Sequence, residues 1–403
     1  MDRLLGSKSF LQAMKDLHIV KRYRFKKQAY FLPGLLTRAK NIQQYRQIQV
    51  LPPRSDWSQD VVDAGEDWPY LTEWQQRCDA AFDELRLKSD FIPFKDDSPT
   101  LICVVRNEEL RLPSFLKHYQ GLGVACFHFI DNGSTDSTAA ILRRAPGVTL
   151  WSTSASYRQA AYGQMWVAAL ARRYGLCKWI VNVDADEFLV FAGMGRRSIT
   201  DLVVRVSALG FSRIATPMID MYAGPDRFWR PLGQWSANPL LARCGWFDGR
   251  AGGLYSECHG PFGVALTGGP RKRLNLLAGG DGGPWICKVP LALWSDSTAY
   301  ANPHLPYPFS ETPTQRFAAL LHFKFLEDFS ERVDFALSID EHWNGSSEYR
   351  TYAKWLRSGL TARLYDRRIS VRYRNPGSLI AEGLIVDPWL SGATRGAEGP
   401  PCD

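Results

Sequence analysis

The feature that most constrains this chain is an alternation over residues 100–183. Four short apolar runs, TLICVV (100–105), CFHFI (126–130), VTLWS (148–152) and KWIVNV (178–183), read as strands buried on both faces. Between them lie RLPSFLKHYQGLG (111–123), DSTAAILRR (136–144) and YRQAAYGQMWVAALARRYG (157–175), each of helical length. The first has Pro113 in its opening turn and is stopped by Gly121 and Gly123; the last ends at Gly175. Strand–helix–strand connections are right-handed, so the pattern predicts βαβ units and a mainly parallel sheet flanked by helices, an α/β fold. One helix is expected over 70–88 and a helical region over 327–358. Beyond about 236 the density of Gly and Pro (GGLYSECHGPFGVALTGGP, AGGDGGPW) predicts long loops around a smaller second half.

In an open parallel sheet, ligands collect where strands hand over to loops at the C-terminal edge. The predicted strands end in RNEE (106–109), DNGSTD (131–136), STSASYR (152–158) and DADEF (184–188). In extended chain Asp184 and Asp186 project to the same side, while Glu187 turns away and orients its neighbours from behind. Two carboxylates on one side suit Mg²⁺ or Mn²⁺, which favours one or two acids plus substrate phosphates. A capped, solvated strand-to-helix turn explains the same residues. DNGSTDST likewise reads as a turn with Ser134 or Thr135 capping a helix, but Asp131 is the first residue past its strand and can accept from a nucleobase N–H. Arg106 is a fixed cation able to meet phosphate. There is no Walker A pattern and no GxGxxG after the first strand.

Together, VVRNE, IDNGSTDST and DADEF resemble the nucleotide-sugar half of GT-A-fold (Rossmann-like) glycosyltransferases of the family-2 type. The likeness is to the bacterial subset with a D-x-D-E-F motif, and to family-92-like enzymes. GGPRKR (268–273), KVPLALW (288–294), NPH (302–304) and LLHFKFLEDF (320–329) extend it over roughly 98–358. The resemblance implies that Asp131 binds the nucleobase, with Arg106, Asn107 and Glu108 lining that pocket and Asp136 in the same loop. Asp184 would face ribose or metal and Asp186 would be the main metal ligand. His322 would complete the metal site, with Lys324 available to the diphosphate and His304 the rival ligand. It also implies transfer of a sugar from a nucleoside-diphosphate donor to a glycan or glycolipid hydroxyl, with Mn²⁺ or Mg²⁺. An acceptor-side base would come from Asp220, Asp226, Asp248 or Glu257, with Asp248 of GWFDG preferred. No TED or QxxRW element of processive synthases is present. A nucleotidyltransferase and a catalytically inactive nucleotide-sugar-binding protein stay open as alternatives.

The net charge of +8 is unevenly spread: residues 1–46 carry +9, with eleven Lys/Arg and two acids. The expected organisation is a basic extension over 1–50, a connecting region over 51–97, a nucleotide-sugar half over 98–235, an acceptor half over 236–358 and a tail over 359–403. KRYRFKKQAYFLPGLL mixes cations with aromatics and leucines, as segments that lie on an anionic leaflet do; a solvated basic arm is the competing reading. With no basic stripe in the body of the chain, nucleic acid is not an expected partner. The eight Cys are scattered without metal-binding spacing and read as buried hydrophobes in a reducing compartment. No apolar stretch approaches the about 18 residues of a membrane span, and charges interrupt every apolar stretch near the N-terminus. The expected location is the cytoplasm, peripheral at the inner membrane.

Overall fold

The computed structural model describes residues 71–225, 239–250, 255–260, 263–279, 283–300, 304–308, 311 and 313–390. The basic segment 1–46 and Asp226 therefore lie outside the described residues. The chain divides into two units, Met1–Gln75 and Gln76–Asp403, and every strand of the central sheet belongs to the second.

The strands in chain order are β1 (Arg86–Leu87), β2 (Thr100–Val105), β3 (Cys126–Asp131), β4 (Val148–Ser152), β5 (Trp179–Asn182), β6 (Glu187–Phe191), β7 (Arg213–Asp220), β8 (Trp246–Asp248), β9 (Ser256–Gly260), β10 (Gly263–Thr267), β11 (Cys287–Leu293), β12 (Ala299–Tyr300), β13 (Pro306–Tyr307), β14 (Ala318–His322) and β15 (Ser370–Arg372). The helices are α1 (Leu71–Phe82), α2 (Leu112–Gly121), α3 (Thr138–Arg144), α4 (Gln164–Tyr174), α5 (Ile199–Ala208), α6 (Pro239–Arg243), α7 (Gly269–Leu277), α8 (Phe329–Ile339), α9 (Trp343–Arg357) and α10 (Pro376–Ala381).

The expected α/β class is the one adopted. A nine-stranded sheet runs β1-β4-β3-β2-β5-β11-β7-β14-β6. Strands β4, β3, β2 and β5 are parallel to one another, as the βαβ alternation predicts, and β7 is parallel to β14. Strands β1, β11 and β6 run antiparallel to their neighbours. Residues on both sides of 235 thus build one sheet. Strand β15 pairs with β8, so the segment expected as a tail over 359–403 contributes a strand and the short helix α10.

Side chains from both faces of the sheet, including Leu101, Cys103, Phe129, Val181, Phe188 and Leu320, form one core with Phe115 and Tyr119 of α2. Strand β6 is an edge, whose open backbone groups would be costly to leave dry. Helix α2 covers it: the Tyr119 hydroxyl donates to Glu187 O at 2.9 Å and accepts from Leu189 N at 3.1 Å, and His118 Nε2 lies 2.8 Å from Leu189 O. That docking fixes Glu187 at the start of the edge.

Three helical predictions overrun the elements observed: the helix expected over 70–88 ends at Phe82, ahead of strand β1. The helix expected over 157–175 begins at Gln164, because Ala161, Tyr162 and Gly163 take left-handed φ values of 55°, 57° and 80° that a right-handed helix cannot propagate. The helical region over 327–358 is a hairpin, broken where Asp340 turns left-handed at φ 45°. Among the described residues no helix is long and apolar enough to cross a membrane.

Candidate active site at the C-terminal sheet edge

The DADEF segment is not the end of a single strand. Strand β5 stops at Asn182, and Glu187 N donates to Asp184 O at 3.0 Å, closing a turn that sends the chain into β6. The same-side projection expected for Asp184 and Asp186 presumes extended chain, and the turn separates them. Asp184 goes to Lys288 and Asp186 goes to His322.

Lys288 sits in β11 and is 1% exposed. Its Nζ lies 2.7 Å from Glu187 Oε2 and 3.2 Å from Asp184 Oδ2. Glu187 Oε2 also accepts from Asp184 N at 2.9 Å, so one carboxylate caps the turn and binds the cation. Burial by itself would lower the pKa of Lys288; Asp184 and Glu187 outweigh it and hold the ammonium charged. Burial is the largest influence on Glu187 and leaves its pKa raised to about 7, with Lys288 acting to lower it; at 2.7 Å the two groups form a buried ion pair. This lysine is what allows the acids to crowd together. The Asp184 side chain remains 55% exposed on its outer side.

The sheet register places the second acid. His322, the last residue of β14, stands opposite Glu187 across β6 and opposite Asp220 across β7. Phe323 N continues the ladder by donating to Asp186 O at 2.8 Å. His322 Nε2 consequently lies 3.4 Å from Asp186 Oδ2, and its Nδ1 lies 2.6 Å from Asp220 Oδ1. Asp220 is held from behind by Arg271 Nε at 2.8 Å, and Arg271 Nη1 reaches Glu348 Oε1 at 3.2 Å. Glu348 also accepts from the Tyr352 hydroxyl. Burial works to raise the pKa of Asp186, but His322, Arg332 and Lys324 hold it well below the usual carboxylate range. Two residues past His322, Lys324 lies over the rings of Tyr349 and Tyr352, at 5.6 and 5.2 Å.

The other predicted site residues divide between pocket and scaffold. Asp131 ends β3 with one carboxylate oxygen accepting from Ser134 N at 3.0 Å. Its neighbour Asn132 donates to Thr153 O and Ala155 O, tying the loops after β3 and β4 together. Arg106 is exposed, its guanidinium 5.2 Å from the Phe335 ring centre. Asn107, left-handed at φ 57°, accepts from Thr135 N at 2.8 Å. Asp136 accepts from Glu109 N and Thr138 N. These two side chains lock the loops after β2 and β3 to each other. Buried Glu108 pairs with Arg332 at 2.7 Å and Arg111 at 3.5 Å, and Arg111 makes a bidentate pair with Asp328. They anchor the α8–α9 hairpin to the strand-end loops. His304 Nδ1 lies 3.0 Å from Cys287 O, and burial lowers its pKa to about 4.

Asp248 requires a correction. It is wholly buried; Oδ1 accepts from the Tyr222 hydroxyl at 2.6 Å, and both oxygens accept from Arg273, at 3.0 and 3.1 Å. Buried and held by Tyr222 and Arg273, it anchors β8 to α7, an arrangement that suits a structural tie rather than an acceptor-side base. The Glu257 side chain lies outside the described residues.

A divalent cation has a partial donor set here. Asp186 Oδ2 and His322 Nε2 converge, and Asp220 on Nδ1 fixes the imidazole as carboxylates behind ligating histidines commonly do. Asp184 is drawn off by Lys288, and among the described residues no group of three or more His, Cys, Asp or Glu is arranged to hold a metal. The residues fit a cation that takes two protein donors and completes its shell with substrate oxygens.

The sequence reading gives no role to Lys288, Arg271, Arg332 or Glu348, although KVPLALW and GGPRKR contain the first two. A signal exists for the first, since a lysine within ICKVPLAL interrupts an otherwise apolar strand. The other three lie on helices whose facing partners only the fold reveals.

No family model matches the chain, and no curated protein matches it. Among solved structures, S. aureus TarS is 15% identical over 36% of this chain and 23% of its own, with a TM-score of 0.23. A structure of S. aureus TarS 1–349 is 15% identical over 38% and 43%, also with a TM-score of 0.23. The chain thus spans less than half of either TarS chain. The mannosyltransferase PcManGT from Pyrobaculum calidifontis, in complex with GDP-Man and Mn²⁺, is 13% identical over 78% of this chain and 75% of its own, with a TM-score of 0.28. At such scores these similarities carry no inference about the chemistry of this chain.

Proposed function

We propose that the chain is a GT-A-type glycosyltransferase, moving a sugar from a nucleoside-diphosphate donor to a glycan or glycolipid hydroxyl with Mn²⁺ or Mg²⁺. The observation that supports this most is the convergence of Asp186 and His322 at the strand edge, backed by Asp220 and bordered by Lys324. In this reading Asp186 and His322 would hold the cation, and when bound it would supply positive charge to offset that of the diphosphate leaving group. Lys324 and Arg332, whose charges act on Asp186, would meet phosphate oxygens. Asp131 and Arg106 receive the nucleoside, and Asp184, steadied by Lys288, faces the ribose. The basic segment 1–46 would hold the enzyme at an anionic leaflet, where glycolipid acceptors reside.

Incubation with UDP- and GDP-sugars, with and without Mn²⁺, should release nucleoside diphosphate from at least one donor in a metal-dependent way. Absence of donor turnover and binding, with no effect of metal, would sink the reading. Asp220→Asn should weaken Mn²⁺ binding about 10–100-fold, read by titration calorimetry, because an outer partner of a ligating histidine sets its tautomer. Unchanged Mn²⁺ affinity would remove His322 from the ligand set.

A further inference from the structure

The loop after β4 and the tip of the α8–α9 hairpin build a feature that the chemistry above leaves unused. His342 is in ring contact with both Tyr157 and Tyr349, its ring centre 6.0 Å from the first, edge-on, and 4.5 Å from the second, tilted. All three are half-buried, and no hydrogen bond ties the Tyr157 or Tyr349 hydroxyl to another described residue.

This cluster borders the candidate active site. Lys324 lies over Tyr349, and Asp184 and Asp186 both disfavour ionisation of the Tyr157 hydroxyl, with burial the larger cause. It is also held from both sides. Glu341 Oε2 accepts from Ser156 Oγ at 2.7 Å and Arg158 N at 2.9 Å, and Arg158 pairs with Asp340 at 3.3 Å. On the other side, the left-handed run Ala161–Tyr162–Gly163 folds the backbone under Tyr157. A Cβ at Gly163 would lie 3.3 Å from Tyr157 Cε2 and 2.9 Å from Val104 Cγ2, so only glycine fits there. Left-handed non-glycine residues persist where surrounding contacts over-determine them, commonly at ligand clamps.

We propose that Tyr157, His342 and Tyr349 form a wall that stacks on the sugar ring of the donor, with Glu341 as the positioning residue that holds Tyr157 against the hairpin. This rests on the transferase reading and deepens it. A pyranose has an apolar C–H face and a rim of hydroxyls; a tyrosine offers a flat apolar body and a polar tip to match. The wall meets Lys324, whose charge acts on Asp186, and the diphosphate proposed to sit at those two residues is one bond from the sugar. Asp131, proposed for the base, stands instead at the end of β3.

The test compares calorimetric binding of UDP-glucose, UDP-N-acetylglucosamine and GDP-mannose with that of UDP and GDP, all in Mg²⁺. For the donor that wild type binds, Tyr157→Ala should weaken binding about tenfold while changing the matching diphosphate less than about threefold. Tyr157→Phe, which keeps the ring and the packing, should fall between. Glu341→Ala should reproduce the Tyr157→Ala loss and add little to it in the double variant. Glu341→Gln should bind as wild type, because its amide oxygen still accepts from Ser156 and Arg158. Equal weakening of donor and diphosphate would show that the wall reads the nucleotide, and undiminished donor binding would show that it is packing alone. Either result overturns the proposal and leaves the transferase reading standing. Wild type that binds none of these compounds overturns both.

Discussion

Lys288→Met is expected to destabilise the fold by about 3–5 kcal/mol, the cost of removing one partner from a buried ion pair. Methionine keeps the stem length and the packing in β11 but deletes the ammonium that meets Glu187 at 2.7 Å and Asp184 at 3.2 Å. Glu187 is buried, so it would be left as an uncompensated carboxylate beside Asp184 and Asp186. The same carboxylate caps the 184–187 turn through Asp184 N, so the turn should loosen with it. Urea unfolding gives the stability difference. The double variant Lys288→Met with Glu187→Gln should recover a substantial part of the loss, because the buried charge at 187 is then gone and Asp184, the other partner of Lys288, is half exposed to solvent. If the single variant unfolds at the wild-type midpoint, Lys288 does not hold the acids together.

Asp186→Asn should lower donor turnover about 10²–10³-fold with the fold intact, since charge stabilisation at a leaving diphosphate is worth several kcal/mol and each 1.4 kcal/mol is tenfold. The amide keeps the shape of the side chain, and the backbone bond from Phe323 N to Asp186 O is untouched. Asp184→Asn should cost less, because Asp184 is engaged by Lys288 rather than aimed at His322. The ratio of the two losses is the informative quantity. Equal losses would mean that Asp184 leaves Lys288 when substrate binds and joins Asp186 as a ligand. A wild-type rate for Asp186→Asn would remove the assignment of the cation to this turn.

The parallel half of the sheet is legible in the sequence because a strand buried on both faces must be a continuous apolar run. TLICVV, CFHFI, VTLWS and KWIVNV each form a strand within a residue or two of the expected bounds. The turn at 184–187 reads as extended chain because nothing in DADEF breaks a strand. The reversal is enforced from outside, by Glu187 pairing with His322 and by Lys288 pulling Asp184 away. Asp248 misleads for a related reason. An acid in a loop-rich region resembles an available base until it is seen buried and tied to Arg273 and Tyr222.

The sequence by itself determined the α/β class, the strand ends at which polar groups gather, and the acids of the 184–187 turn, because burial patterning and residue chemistry are local properties. Which acid meets which partner was decided only by tertiary structure. The register of β14 between β6 and β7 brings His322 to Asp186 and Asp220, although the two aspartates are separated by more than 30 residues and His322 by a hundred more. The hairpin tip that carries Glu341 and His342 meets the loop after β4 in the same way. Ion pairing and ring contact act over a few ångströms, and only the folded sheet brings such distant residues within that reach.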